Sequence, residues 1–84
     1  MPRPKKYKPV RRHDRNIVGE RVSRLRKDAG FSQTELAARC QVKGWDITRD
    51  SIKRIESGER EVIDKELTRL ARALGVPIAA LFER

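Results

Sequence analysis

The chain has 84 residues, enough for one small domain and too few for a catalytic cleft with its supporting shell. Its 21 Lys and Arg against 12 Asp and Glu give a net charge of +9 and a pI near 10.6, a balance that favours polyanionic partners. A single cysteine excludes an internal disulfide and a cysteine-built zinc site, and no apolar run approaches the roughly 18 residues of a membrane span.

The charge is uneven. Residues 1–15 carry Arg3, Lys5, Lys6, Lys8, Arg11, Arg12 and Arg15 against Asp14 alone, with Pro2, Pro4 and Pro9 among them. Such a composition cannot pack a core, so a flexible basic arm is expected over 1–15 and a folded domain over 16–84. The opening MPRPKKYKPVRR has no apolar stretch behind its charges and is not a secretory signal. Together with the lone thiol, this points to a cytoplasmic location.

From residue 16 the pattern is helical throughout. Val18, Val22, Leu25 and Ala29 are spaced 4, 3 and 4, predicting a first helix over about 17–29, with Gly30 as its left-handed cap. Ser32 and Glu35 form an S-x-x-E capping box for a second helix, about 33–41, which turns Leu36, Ala37 and Cys40 inward. Thr48 is the expected N-cap of a third helix, 49–57. Ile47 and Ile52 flank that cap as a hydrophobic staple, Ile52 and Ile55 form the buried face, and Gly58 ends the helix. A fourth helix, 64–74, buries Leu67, Leu70, Ala71 and Leu74 and stops at Gly75. Pro77 then suits the first position of a short fifth helix, 77–82, with Ile78, Leu81 and Phe82 on its apolar side.

Two short helices joined by a turn, the second with a charged face, make a helix-turn-helix arrangement. The segments IVGERVSRLRKDAGFSQTELAARC, ITRDSIKRIESGER and LTRLARALGVPIAALF resemble the lambda-repressor-like (XRE-type) helix-turn-helix family of bacterial and phage regulators. The likeness spans residues 17–82. It implies an all-α, compact five-helix DNA-binding domain that places helix 49–57 in the major groove. Arg49, Asp50, Lys53 and Arg54, pointing away from Ile52 and Ile55, are then the expected base contacts. Arginine offers a fork to guanine O6 and N7, and a carboxylate can accept from cytosine N4. An acid in the first helical turn also complements the helix dipole without any DNA.

The resemblance further implies phosphate contacts from Gln33 at the start of helix 2. Thr48, Lys43 and Arg60 are added as phosphate contacts on position. Arg26 of helix 1 and Glu56 of helix 3 correspond to a structural ion pair of the family, so Glu56 is not expected to read DNA. The arm residues Lys5, Lys6, Lys8, Arg11 and Arg12 are expected to wrap duplex DNA, or else to serve as a solubilising tail.

The sequence departs from the pattern in two places. The stretch QVKGWD lengthens the turn between helices 2 and 3 by roughly five residues, and Trp45 within it either anchors the loop on the core or, with Lys43, reaches the DNA backbone or a partner. Glu59, Glu61, Asp64 and Glu66 stand where the family often has basic residues near phosphates.

An enzyme is not expected: His13 lies in the arm, Cys40 takes an apolar helix position, and no phosphate loop or metal-ligand spacing occurs. No cofactor is implied. The expected function is a sequence-specific transcriptional regulator, a repressor in its commonest form, acting on double-stranded DNA as a homodimer through the last helix. The alternatives are an antitoxin-type module that binds a protein partner, and a non-specific nucleic-acid binder driven by the arm.

Overall fold

The computed structural model describes the backbone of residues 12–82 and the side chains from residue 18. Four α-helices follow one another: α1 (Arg12–Asp28), α2 (Gln33–Val42), α3 (Arg49–Ser57) and α4 (Asp64–Leu74). A 3₁₀ turn, η1 (Ile78–Phe82), closes the order, and no strand occurs among the described residues.

Two boundaries differ from the sequence expectation. α1 begins at Arg12 rather than near 17, so residues 12–15 of the expected arm have helical backbone. Between Pro9 and Ile17 no glycine or proline interrupts the chain, so nothing in RHDRN stops the helical backbone from running on N-terminally of the apolar stripe. Residues 1–11, with Lys5, Lys6, Lys8 and Arg11, lie outside the described residues. The expected fifth α-helix is instead the 3₁₀ turn, opened by the Ala80 amide donating to the Pro77 carbonyl at 2.9 Å. Five residues are too few for cooperative α-helix, whereas i→i+3 bonds suit a short closing piece.

One core joins the helices. Val22, Leu36, Cys40, Ile52, Ile55, Leu70 and Leu81 are essentially removed from solvent, and Ala37, Trp45, Ile47, Ala71, Ala73 and Leu74 complete the cluster. Each fully buried aliphatic side chain contributes about 1.5–3 kcal/mol, and these few positions carry the fold. Val18, Leu25 and Leu67 pack against its edge, whereas Ala29, expected inside, is exposed in the last turn of the segment. The apolar side of η1 splits: Leu81 is buried, while Ile78 and Phe82 face solvent.

The helix ends use local chemistry. Ser32 Oγ accepts from the Glu35 amide at 3.0 Å, and Glu35 Oε1 accepts from the Ser32 amide at 2.7 Å, the capping box expected for α2. Thr48 Oγ1 accepts from the Ser51 amide at 3.2 Å and caps α3, with Ile47 and Ile52 buried on either side of the cap. Gly30, Gly58 and Gly75 take the positive φ expected of helix terminators.

The lengthened turn has the same device hidden in it. α2 runs through Val42, and Gly44 stops it in the left-handed region at φ 92°. The Gly44 amide donates to the Gln41 carbonyl at 3.0 Å and the Trp45 amide to the Cys40 carbonyl at 2.9 Å. That pair of bonds is a Schellman motif, and the residue after the glycine normally packs back on the last helical turn. Trp45 occupies that place and is buried in the core cluster, which decides for the loop anchor. Gln41 Nε2 donates to the Ile47 carbonyl at 2.8 Å and closes the loop at its far end. The connection between helix ends is thus residues 43–48, with its centre fastened inside the protein.

Candidate nucleic-acid interface

α3 is held by its inner face. Ile52 and Ile55 are buried, so the side opposite them, with Arg49, Asp50, Lys53 and Arg54, is exposed. The four expected reading residues therefore share one solvent-facing surface. Asp50 and Arg54 lie one turn apart and pair directly, Arg54 Nε donating to Asp50 Oδ2 at 2.8 Å. This bond, with the nearby carboxylate charge, raises the pKa of the guanidinium.

The angle of α3 is fixed from behind. Arg26 Nε donates to Glu56 Oε2 at 2.6 Å and its Nη2 to Oε1 at 3.0 Å, a two-pronged pair whose side chains are about nine-tenths buried. The Arg26 pKa is raised by the hydrogen bonds to Glu56, against the opposing effect of burial. A third prong, Nη1, donates to the Phe31 carbonyl at 2.8 Å, so one arginine ties α1, the α1–α2 turn and α3 together.

Gly19 of α1 contributes by having no side chain. A Cβ there would fall on the Ile55 carbonyl oxygen and lie 3.0 Å from that of Glu56, so the α1 and α3 backbones meet at this point. Sequence reasoning missed Gly19, although a glycine in the middle of a predicted helix is a recognised sign of close approach.

The expected phosphate contacts are in mixed surroundings. Gln33, half-buried at the start of α2, donates from Nε2 to Glu56 Oε1 at 3.0 Å and so extends the Arg26–Glu56 pair to a third helix. Thr48 serves α3 as its cap. Lys43 is exposed beside the Gly44 turn. Arg60 Nη1 and Nη2 donate to Glu66 Oε1 and Oε2 at 3.2 and 3.0 Å, a pairing six residues apart that no helical spacing announced.

The acids of residues 59–66 are also not equivalent. Glu66 is buried, and its Oε1 accepts from the Ile63 amide at 3.1 Å, capping α4. Burial pushes its pKa up, but the hydrogen bonds from Arg60 and Ile63 outweigh it, and the net shift is down. Glu66 is thus a structural acid rather than a free charge on the outer surface. Cys40 is a buried free thiol whose pKa burial pushes up to about 11, the reverse of an activated nucleophile.

A family model for a helix-turn-helix domain matches residues 17–83. The chain belongs to the lambda-repressor-like helix-turn-helix family. Among solved structures, the fold is similar to the restriction-modification controller protein C.AhdI from Aeromonas hydrophila. The two are 30% identical over 83% of this chain and 98% of the other, with a TM-score of 0.74. A hypothetical transcription factor, NHTF, from Neisseria is 25% identical over 82% of this chain and 74% of its own, with a TM-score of 0.72. No curated protein matches the chain.

Within this helix-turn-helix domain, α2 and α3 are the paired helices and α3 is the second of them. Among the described residues no helix is long and apolar enough to cross a membrane.

Proposed function

We propose that the chain is a sequence-specific transcriptional regulator that inserts α3 into the major groove of double-stranded DNA. One observation carries this reading. Three cations and one acid, Arg49, Lys53, Arg54 and Asp50, share the exposed face of a helix whose inner face is locked by Ile52, Ile55 and the Arg26–Glu56 pair. Such a face is presented at a fixed angle, which base reading requires and non-specific attraction does not. Both structural neighbours bear names of regulators, a restriction-modification controller and a transcription factor, and this supports the same reading.

Around the reading helix, Lys43, the start of α2 with Gln33, and the Thr48 cap are the positioning contacts for phosphates. Arg60 contributes through the donors not taken by Glu66. The arm adds a sequence-independent term that salt weakens. One recognition helix covers a short half-site, so the working form is a homodimer on an inverted repeat. The exposed Ile78 and Phe82 of η1, beside the buried Leu81, support its placement at the dimer contact. Repression by occlusion of a promoter is the expected regulatory outcome.

The test is selection from a random duplex pool at near-physiological salt. The reading predicts enrichment of an inverted repeat with a fixed half-site spacing. Binding that shows no enrichment and disappears as salt rises would favour the non-specific alternative.

A further inference from the structure

We propose that Asp50 is a positioning residue for Arg54: it occupies the Nε edge of the guanidinium, so that the two Nη groups are presented end-on to a guanine. This rests on the base-reading role of α3 given above. Arg54 and Asp50 are both well exposed, with side-chain accessibilities of 57% and 64%, so neither is held by the core. The Nε–Oδ2 bond at 2.8 Å is the only side-chain hydrogen bond of Arg54 among the described residues, and its Nη groups donate to nothing there.

A guanidinium has two edges that can form a fork, Nε with Nη and Nη with Nη. Asp50 takes the Nε donor and leaves the Nη pair, which matches the O6 and N7 acceptors of guanine. An unpartnered arginine on this surface would spread its fork over many rotamers and lose that freedom on binding. Ordering the fork beforehand sharpens the choice of base.

The cap at the start of α3 is already supplied by Thr48, so Asp50 is not needed for it. An acid on a face directed at phosphates also reduces affinity for any duplex. In the first turn it also complements the helix dipole, and on this face it offsets the loss of affinity if it raises discrimination more than it lowers binding. Asp50 thus acts on the base pair read by Arg54 and not on one of its own.

The experiment compares the full chain with Asp50→Ala, Asp50→Asn, Arg54→Ala and the Asp50→Ala/Arg54→Ala double variant. Affinities are measured for the selected repeat, for each single-base-pair replacement in it and for random duplex, with thermal unfolding of each variant alongside. Arg54→Ala identifies its base pair. Asp50→Ala is expected to reduce discrimination at that same pair by about 2- to 10-fold, with little change in melting temperature, and to raise affinity for random duplex.

Asp50→Asn keeps an acceptor for Nε, so it is expected to retain the discrimination while still raising random-duplex affinity. In the Arg54→Ala background, removing Asp50 should change discrimination nowhere. The positioning role is overturned if Asp50→Ala relaxes a different base pair, relaxes none, or acts equally without Arg54. Equal losses in the Asn and Ala variants also contradict it. If Arg54→Ala itself relaxes no base pair, the reading role of Arg54 falls, and the positioning role falls with it.

Discussion

At the residue scale, the Arg26–Glu56 pair bears most directly on the interface. Both partners are buried, and Glu56 also receives Gln33. Removing one partner leaves a buried charge, so Arg26→Ala is expected to destabilise by about 3–5 kcal/mol, measured by denaturant unfolding. A small domain has only about 5–15 kcal/mol in total, so the variant approaches the unfolding threshold.

Glu66 gives a pH prediction. Its folded pKa lies below the ordinary 4.5, so it adds stability above that value. That stability is lost as the pH falls from about 4.5 through the folded pKa. Melting temperature should therefore decline on acidification through this window, and Glu66→Gln should show a flatter acid limb, read by circular dichroism. A rise of melting temperature on acidification through this window would contradict the account.

At the scale of elements, most of the architecture was legible because its signals are local. The capping box, the Thr48 cap, the staple and the glycine stops depend on residues within a few positions of one another; the structure has the caps and the stops, and it buries both residues of the staple, Ile47 and Ile52. The four-and-three spacing likewise fixes which face of α3 is buried and so which four side chains are outside. The Arg26–Glu56 pair joins residues 30 apart and was reached only through the family likeness.

What could not be read depends on tertiary contact. Nothing local tells that Arg60 turns to Glu66, or that Gln33 reaches Glu56. Gly44 was legible in principle: a glycine three residues past Gln41, followed by an aromatic, is the signature of the Schellman stop that places Trp45 inside.

Gly19→Ala places a methyl group on the α3 backbone, so it should cost about 1–3 kcal/mol and weaken DNA binding by displacing α3. Denaturant midpoint and binding affinity check both. Trp45→Ala opens a cavity beneath the loop, expected to cost about 3–5 kcal/mol in the same unfolding experiment.

For the whole molecule, charge and shape divide the labour. Residues 1–15 carry a net +6 and the remainder +3, so under the proposed function the N-terminal segment is expected to supply a disproportionate share of the affinity for any duplex. Removing residues 1–11, with five of its basic side chains, should lower affinity for all duplexes alike and flatten the dependence of log K on log salt. Base preference, which the proposed function assigns to α3, should survive. A truncated chain that lost its preference would show the arm to be a reader in its own right.

Under the proposed function, the outer face of α3 reads base edges while the rest of the domain holds it in place. Site selection repeated with Arg49→Ala tests this most directly, because Arg49 is exposed and its loss leaves the core and caps untouched. If Arg49 reads a base, the enriched repeat keeps its half-site spacing and one symmetric pair of positions is relaxed by about 10- to 100-fold. An unchanged base preference at every position, with only a uniform loss of affinity, would contradict it and reduce Arg49 to a phosphate contact.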